Sequence, residues 1–361
     1  MKILYDNHVY NWQKVGGISK YYTELISHLK NYDVKVLLPV FLSNNYYLRD
    51  NESFMSVYRF LPAWDNVYRN KIIGRVNNMV LDYYYLKNDF DIYHPTYYDL
   101  SFLSRLKNKP FVLTVHDMYN ERFNIDSGNI IAVKKELIKR ADRIIAISEN
   151  TKNDILEFCE IEENRISVIY HGVRSVRVFV QPRGFHMKPY ILFVGGRKDY
   201  KNFNRLIEAF SIISKKNPDL NLVCVGSSFS KDELVSFYEF NIADKVCSLS
   251  ADDNELAWLY KNAIFFIFPS LYEGFGLPLL EAFQYGAPSA VSDASCFPEI
   301  ALDAVVYFNP YDVESIAFAL ESLLLSETLR EQLTKKGYKL LEKYSWNKTA
   351  FKTKEVYESM L

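Results

Sequence analysis

Two glutamates, Glu273 and Glu281, bracket a short turn in the second half of the chain. The residues of this turn that could bring backbone amides to a ligand are Gly274, Phe275, Gly276 and Leu277. Glycine lets the backbone turn sharply and approach a ligand closely, and amides at a helix N-terminus favour anions. Carboxylate acceptors beside such amides suit a ligand with hydroxyls at one end and a phosphate in the middle, as in a nucleotide sugar.

The turn needs an element on each side to position it. An apolar run at residues 263–268 predicts a buried strand before the turn, and residues 277–283 predict a helix after it. Two glutamates at this spacing also occur on ordinary helix surfaces, so the pair alone leaves a structural role open.

A second candidate cluster follows another apolar run, residues 190–194, that also predicts a strand. Gly195 and Gly196 come directly after it, and then the cations Arg197 and Lys201. Arginine can contact a diphosphate at two points in one plane, whereas lysine acts as a point charge. A solvated helix start would show similar residues, so this cluster also has a purely structural interpretation.

The first half of the chain contributes two further candidates. Gly16 and Gly17 end a polar loop between a predicted strand at residues 2–6 and a predicted helix at residues 18–29. Such a loop could hold a phosphate or could simply be a tight turn. His116 follows the predicted strand 111–115, and the carboxyl end of a parallel strand is where open α/β sheets bind ligands.

Asp89 and Asp91 allow a different interpretation, because an Asp-x-Asp motif can hold a divalent metal on a sugar diphosphate. Here the pair directly precedes a predicted strand, and nothing else in the sequence supports a metal-dependent site. We therefore predict no metal site.

Bulk properties narrow the function classes. The chain has 361 residues, enough for two domains, and its 43 basic and 44 acidic residues argue against nucleic acid as the main partner. The four cysteines show no paired spacing, and there is neither a signal peptide before Met1 nor a run of about 18 apolar residues that could span a membrane. These features predict a cytoplasmic protein.

Aromatic and basic residues interleave over residues 58–75. This segment could form a surface that touches the cytoplasmic face of the inner membrane. A loop and helix with a solvated basic face is the alternative interpretation.

The stretch from Phe268 to Glu281 resembles the E-x7-E signature of the retaining GT-B glycosyltransferases, in particular glycosyltransferase family 4. The resemblance is strongest over residues 190–299 and weak over residues 40–90. It implies a GT-B fold, in which two Rossmann-like, doubly wound α/β domains face a cleft. The alternation of predicted strands and helices supports two such halves independently.

The resemblance and the composition together predict four segments. Residues 1–173 form an acceptor-side domain, residues 174–188 a linker, and residues 189–342 a nucleotide-sugar domain. Residues 343–361 form a helix that crosses back to the first domain.

The family's reaction transfers a sugar from a nucleotide donor to a hydroxyl with retention of configuration. By resemblance, Arg197, Lys201 and the turn amides would stabilise the leaving diphosphate. Glu273 would contact the donor sugar, Glu281 the ribose, and His116 would orient the sugar. Gly16, Gly17 and Gly196 would line the donor site, and no cofactor or metal is implied.

The implied partners are a nucleotide sugar and a glycan or lipid-linked glycan acceptor, in the synthesis of a bacterial surface polysaccharide such as lipopolysaccharide. Two alternatives remain. One is a GT-B nucleotide-sugar epimerase, against which the E-x7-E stretch argues. The other is a non-catalytic sugar-binding protein of a polysaccharide assembly, against which the full set of Arg, Lys and Glu argues.

Overall fold

The chain folds into two compact units, which are described separately. The first comprises residues 1–172 and 346–361, and the second comprises residues 173–345. The computed structural model describes the chain except for residues 50–56, 59–65, 127, 175, 177 and 188.

Within its described residues the first unit contains parallel strands in two linked sheets. Strands β1 to β6 are Lys2–Tyr5, Lys35–Leu37, Ile92–His94, Val112–Val115, Arg143–Ala146 and Ile166–Val168. One sheet has the order β2-β1-β3 and the other β4-β5-β6. A parallel bridge between Tyr93 and Phe111 joins them, so the strands read β2-β1-β3-β4-β5-β6 across the unit.

Helices alternate with these strands along the chain, as expected for parallel strands. In the first unit α1 to α7 are His8–Trp12, Gly17–Leu29, Tyr46–Arg49, Asn66–Lys87, Tyr119–Arg122, Ile130–Arg140 and Glu149–Phe158. Helix α7 begins as the sequence predicted, because the Ser148 hydroxyl accepts a hydrogen bond from the Thr151 amide and caps the helix.

The second unit is built on one sheet of six parallel strands among its described residues. Strands β7 to β12 are Tyr190–Val194, Asn221–Val225, Val246–Leu249, Phe265–Phe268, Ser289–Ser292 and Val306–Phe308. Their order is β12-β11-β10-β7-β8-β9. This is the strand order of the classic dinucleotide-binding fold. Helices α8 to α14 are Phe203–Lys216, Lys231–Glu239, Asp253–Asn262, Leu277–Gln284, Phe297–Ala301, Val313–Leu325 and Glu327–Leu340.

Continuous apolar runs explain the central strands of the second unit. All four residues of β10 and the first four of β7 are buried. A strand buried on both faces needs no polar alternation, so these runs predicted strands correctly. Strands β11 and β12 were not predicted. The sequence of β11, SAVS, contains two serines, and that of β12, VYF, has only three residues.

The predicted linker, residues 174–188, is not separate from the second unit, which begins at Val173. The segment contains Phe185, which is buried and packs edge-on against the rings of Tyr190 and Trp258 at 5.3 and 5.9 Å. The sequence suggested a linker because the segment lacks periodicity, yet an irregular segment can still bury an aromatic anchor.

The last helix, α15, spans Trp346–Glu358 and belongs to the first unit. It packs along α2. Its Tyr357 is fully buried, and the Tyr357 hydroxyl lies 2.6 Å from the Tyr5 hydroxyl and 2.7 Å from His94 Nδ1. The helix starts at Trp346 rather than at residue 343, since residues 341–343 form a 3-10 turn in the second unit.

In the described part of the chain, no helix has both the length and the apolar character that crossing a bilayer requires. Most of residues 58–75, where a membrane-touching surface was predicted, lies outside the described residues or has undescribed side chains.

Replacing Tyr357 by Phe should destabilise the first unit by about 1–3 kcal/mol, because it leaves buried polar groups of Tyr5 and His94 without a partner. Urea unfolding measures the change. Tyr238→Phe makes the same chemical change at an exposed side chain and should leave the free energy of unfolding unchanged. Equal stability of the two variants would contradict the anchoring role of Tyr357.

Candidate active site

The strand order of the second unit defines where a ligand can bind. The chain runs outward from β7 through β8 to β9, and then returns to β10 on the other side of β7. Open α/β sheets bind ligands at the carboxyl ends of the strands on either side of such a reversal. The loop after β7 carries Lys201, and the loop after β10 carries Glu273.

These two loops are joined directly. Lys201 Nζ lies 2.5 Å from Glu273 Oε1, in an ion pair whose side chains are 17% and 14% exposed. The Leu271 amide donates to the Tyr200 carbonyl at 2.7 Å. The structure therefore brings together two predicted site residues that are 72 positions apart in the chain.

The Asn202 side chain forms a second connection between the loops that follow β7 and β10. This side chain is buried and donates through Nδ2 to the carbonyl of Pro269 at 3.1 Å and to that of Pro310 at 2.6 Å. The Asn202 oxygen accepts a hydrogen bond from Arg205 at 3.0 Å. The residue has a left-handed backbone conformation, with φ of 57°, at the start of α8. Asparagine tolerates this conformation better than most residues.

Sequence reasoning assigned no role to Asn202. Its position between Lys201 and a predicted helix was the only local signal. The contacts that matter are to residues 67 and 108 positions away, and no local pattern reports such contacts.

Aromatic rings surround the Lys201 ammonium. Its Nζ lies 5.0 Å from the ring centre of Tyr200 and 5.7 Å from that of Phe268. These cation–π contacts and the Glu273 carboxylate stabilise a charge that is largely removed from water. A diphosphate arriving at this point would meet an ammonium that is already held in place.

Ser295 holds the backbone of Glu273. The Glu273 amide donates to Ser295 Oγ at 3.0 Å, and the Ser295 hydroxyl donates to the Glu273 carbonyl at 2.6 Å. One hydroxyl thus satisfies both backbone groups of the residue that carries the carboxylate. The sequence analysis missed Ser295, which lies 22 residues further along the chain.

The turn between the two glutamates requires glycine at Gly276. Its φ is +87°, a conformation that side chains disfavour, and an added Cβ would lie 3.1 Å from a ring carbon of Phe297. Gly274 and Phe275 are buried as well, and α11 begins at Leu277. The structure therefore confirms a sharp turn into a helix N-terminus, as the sequence predicted.

Glu281 lies in α11 and is partly exposed. Its Oε2 accepts a long hydrogen bond, 3.4 Å, from the Tyr260 hydroxyl, which also donates to the Pro278 carbonyl at 3.1 Å. Burial raises the pKa of Tyr260 well above its ordinary value, so this hydroxyl remains a donor over the physiological pH range.

Arg197 occupies a different environment from Lys201. Its side chain is 4% exposed, and its Nε donates to Glu233 Oε1 at 2.6 Å. Its Nη2 donates to the carbonyls of Ser227 and Ser228, both at 2.9 Å. Arg197 therefore anchors the loop after β8 to α9. Among the described residues, its buried Nη1 has no hydrogen-bond partner.

Glu233 couples this anchor to the start of α9. It forms a capping box with Ser230, whose amide donates to Glu233 Oε2 at 2.7 Å. Burial opposes ionisation of Glu233, but hydrogen bonds from Arg197 and Ser230 outweigh it and lower the pKa of the carboxyl. Next to Arg197, Gly196 is exposed, with open space where a side chain would be.

The remaining predicted residues belong to the first unit. Gly16 precedes α2, which begins at Gly17, and the Gln13 side chain lies over this helix end. Gln13 Oε1 accepts a hydrogen bond from the Ser19 amide at 2.8 Å. A phosphate bound at this helix N-terminus would have to displace Gln13.

His116 is buried at the carboxyl end of β4, with 8% of its surface exposed. Its ring packs edge-on against Tyr21 and Tyr22, with ring centres 5.1 and 5.7 Å apart. Burial lowers the pKa of His116 to about 4, although the Asp117 carboxylate acts in the opposite direction. Its buried Nε2 has no hydrogen-bond partner among the described residues.

Asp89 and Asp91 lie at the amino end of β3, away from the edge where ligands bind. Asp89 pairs with the Lys2 ammonium, and Asp91 Oδ2 accepts a hydrogen bond from the Lys2 amide at 2.7 Å. Both carboxylates thus contact the first residue of β1. In the described ranges, no group of three or more His, Cys, Asp or Glu side chains has a geometry suited to a metal ion.

Two family profiles match adjoining parts of the chain. The profile described as Glycosyltransferase Family 4 covers residues 15–177. The profile described as Glycosyl transferases group 1 covers residues 178–340. Together they cover nearly all of the sequence.

Relatives of known function are similar to part of this chain. The chain is 29% identical over 216 residues to the O-antigen chain mannosyltransferase RfbU of Salmonella typhimurium, across 58% of this chain and 60% of that protein. It is 26% identical over 239 residues to the serotype-specific mannosyltransferase WbdA of Escherichia coli, across 62% of this chain and 29% of that protein. The chain thus spans less than two thirds of the length of these two relatives.

A solved structure supports the fold. HepE of Anabaena, in complex with UDP and glucose, superposes with a TM-score of 0.76 at 14% identity, over 99% of each chain. At this identity the likeness concerns the fold alone. It confirms the predicted GT-B fold with two Rossmann-like units.

The buried histidines of the first unit should make its stability depend on pH. Burial lowers the pKa of His116 to about 4 and of His94 to about 3, and lowers that of His171 well below its ordinary value. The unfolded chain binds protons at these side chains below about pH 6.5, whereas the folded chain binds them only at pH values near or below about 4. Stability should therefore fall as the pH drops from about 6.5 towards 4, by up to about 1.4 kcal/mol per pH unit for each histidine.

Urea unfolding between pH 5 and 7 measures this dependence. His171→Phe removes one of these histidines and should reduce the slope of unfolding free energy against pH by roughly one third. His186→Phe, at an exposed position of the second unit, should leave the slope unchanged. A wild-type slope in His171→Phe would show that this side chain is not the source.

Proposed function

The chain belongs to the group 1 glycosyltransferases of family 4, and we propose that it transfers a hexose from a nucleotide-sugar donor to a hydroxyl group of a glycan. One observation carries the proposal: Lys201 and Glu273 lie 2.5 Å apart at the strand-order reversal of the second unit, beside the N-terminus of α11. A cation and helix amides suit the diphosphate of the donor, and a carboxylate suits the hydroxyls of its sugar.

The reaction breaks the bond between the anomeric carbon and the diphosphate oxygen, and it forms a bond from that carbon to the acceptor oxygen. Negative charge grows on the leaving diphosphate, where Lys201 and the amides at the start of α11 stabilise it. Glu273 accepts hydrogen bonds from the hydroxyls of the donor sugar. The departing phosphate oxygen takes the proton of the acceptor hydroxyl. The acceptor therefore attacks from the face that the diphosphate leaves, and the configuration of the sugar is retained.

The contacts of Arg197 support a less direct role than the sequence suggested. Its Nε and Nη2 are already bound to Glu233 and to loop carbonyls, which leaves Nη1 for a donor oxygen. We therefore assign it two tasks: it fixes the loop after β8, and it offers one charged hydrogen bond to the diphosphate. Gly196, which is exposed beside it, lets the donor approach the backbone.

Glu281 orients the donor, since it accepts hydrogen bonds from the ribose hydroxyls, with Tyr260 holding its carboxylate. His116 of the first unit stays a neutral imidazole near neutral pH, because burial lowers its pKa to about 4. A neutral imidazole can exchange hydrogen bonds with a sugar hydroxyl, so the role predicted for His116 by resemblance stays part of the proposal. At Gly16 and Gly17, a phosphate could bind to the start of α2 only after Gln13 moves.

The relatives suggest a substrate class. RfbU and WbdA are named as mannosyltransferases, and RfbU acts on the O-antigen chain. We propose mannose as the first donor sugar to test and a glycan or lipid-linked glycan of a surface polysaccharide as the acceptor. Peripheral membrane contact would fit a lipid-linked acceptor.

Incubation with UDP-, GDP-, ADP- and TDP-sugars tests the proposed function. We expect transfer from one donor to a glycan acceptor, with the anomeric configuration retained in the product by NMR. Epimerisation of the donor without transfer, or no reaction with any donor that binds, would overturn the proposal.

Lys201→Ala should lower turnover by roughly 10²–10³-fold, the loss typical of removing one preorganised charge contact at a leaving group. Steady-state kinetics at saturating donor measures the change. Lys198→Ala, three residues earlier at an exposed position, is the matched control and should retain most of the activity. Wild-type turnover in Lys201→Ala would remove Lys201 from the mechanism.

The two glutamates should differ in their effect on the product nucleotide. Glu281→Ala should weaken binding of the nucleoside diphosphate by about 1.5–3 kcal/mol, because the ribose loses a charged acceptor. Glu273→Gln should not weaken it, since Glu273 faces the sugar and competes with phosphate for Lys201. Calorimetric titration of both variants with the nucleoside diphosphate measures the difference. Equal loss of affinity in the two variants would mean that the assignment of Glu281 to the ribose and Glu273 to the sugar is wrong.

Transfer should persist in excess chelator, because we assign charge stabilisation to Lys201, Arg197 and backbone amides rather than to a metal ion. The assay is turnover with and without EDTA. Activity that disappears in EDTA and returns with Mg²⁺ or Mn²⁺ would require a metal-dependent mechanism.

A further inference from the structure

The first unit contains a buried ion pair that the mechanism above does not use. Lys134 of α6 and Glu121 of α5 approach to 2.9 Å between Nζ and Oε2, and each side chain is 1% exposed. Lysine and glutamate are almost never buried so completely unless they are paired. The position of this pair in the fold therefore calls for a physical reason.

The Lys134 ammonium bonds to the segment that follows β4. Its Nζ donates a hydrogen bond to the Asp117 carbonyl at 3.1 Å, and it lies 5.1 Å from the ring centre of Tyr98. The Tyr98 hydroxyl in turn accepts a hydrogen bond from the His116 amide at 3.3 Å. The ammonium and the ring that it contacts thus bind the backbone of His116 and of the next residue.

Glu121 keeps the ammonium in place. Its Oε2 accepts the hydrogen bond from Lys134, and its buried Oε1 has no hydrogen-bond partner among the described residues. The Asp117 carboxylate is a weaker partner, because it lies 4.0 Å from the ammonium and is 42% exposed. Removal of Lys134 alone would therefore leave the Glu121 carboxylate buried without compensation.

Stability alone does not explain the pair. Withdrawing two charges from water is costly, and an apolar pair of similar volume often gives equal or greater stability. An apolar side chain at position 134, however, could not donate a hydrogen bond to the Asp117 carbonyl. The feature that only the charged pair supplies is a fixed donor beside the residue that carries the His116 ring.

The same charge acts on the imidazole of His116. Burial is the main cause that lowers the pKa of His116, the Asp117 carboxylate raises it, and the Lys134 ammonium lowers it further. Lys134 thus favours the neutral form of the ring as well as contacting the backbone beside it.

We propose that Lys134 is a positioning residue: by holding the backbone at residues 116 and 117, it sets where the His116 ring lies. Its consequence for sugar transfer rests on the proposed function and on the role of His116 within it. The position of the ring itself can be measured without any turnover.

A double variant avoids an unpaired buried charge. Lys134→Met with Glu121→Leu removes both charges at similar side-chain volume, so the first unit should stay folded in urea to about the wild-type midpoint. Lys134→Leu with Glu121→Met exchanges the two lengths and serves if the first combination does not fold. Lys135→Met makes the same change at the exposed neighbouring lysine of α6 and is the matched control.

NMR of the full chain with labelled histidine and tyrosine measures the position of the ring. The His116 ring lies edge-on to Tyr21 and Tyr22, with ring centres 5.1 and 5.7 Å apart. The NOEs between these rings should weaken in the double variant and keep their wild-type intensity in Lys135→Met. Wild-type NOEs in a folded double variant would overturn the proposal.

Turnover tests the inference in the reaction. The double variant should lower kcat roughly 10- to 100-fold, as a misplaced group does, and should bind the nucleoside diphosphate with wild-type affinity, because we assign that ligand to the second unit. In a His116→Ala background the same two substitutions should lower kcat no further, since Lys134 acts through His116. A further loss of the same size in that background would show that Lys134 acts elsewhere and would overturn the proposal.

These measurements separate the inference from the proposed function. If the chain transfers sugar and the folded double variant keeps the wild-type kcat, the inference fails and the function stands. If the wild-type chain transfers sugar from no donor, the function fails. The NOEs then decide by themselves whether Lys134 positions the His116 ring.

Discussion

The ion pair between Lys201 and Glu273 is the interaction on which the candidate active site depends. It joins two loops that leave neighbouring strands, β7 and β10, where the strand order of the second unit reverses. Both side chains are mostly withdrawn from water, so removal of either would leave an uncompensated charge. The Leu271 amide and the Asn202 side chain tie the same loops through backbone carbonyls. The pair is therefore held by the fold as well as by its own attraction.

This arrangement favours a transfer reaction, because the groups are in place before a substrate arrives. Catalysis by fixed charges requires that little reorganisation occurs as charge develops. Lys201 is surrounded by two rings and a carboxylate, and Ser295 binds both backbone groups of Glu273. A donor would exchange one partner of each charged group for another. Arg197 differs from Lys201, because most of its N–H groups already donate hydrogen bonds to Glu233 and to loop carbonyls.

Much of the fold could be predicted from the sequence, because buried parallel strands are continuous apolar runs and each is followed by a polar loop. The strands β7 and β10, the turn at Gly276 and the cap at Ser148 all have such local signals. Helix α4 lacked one, since tyrosine and asparagine are spread around it without a clear apolar face. Asn202 and Ser295 were missed because their partners are distant in sequence, and the anchoring of Arg197 depends on a loop 30 residues away. Pattern analysis therefore pointed to candidate residues that the fold brings together, Lys201 and Glu273, but not to the residues that hold them in place.

The return of α15 to the first unit has a consequence for how the chain folds during synthesis. Tyr357 completes the buried contacts of Tyr5 and His94, yet it is translated after the whole of the second unit. The second unit is one continuous segment, residues 173–345, and can fold as soon as it leaves the ribosome. The first unit cannot complete its core until α15 has been translated. Nascent chains of this protein would therefore need chaperone protection chiefly at their N-terminal half.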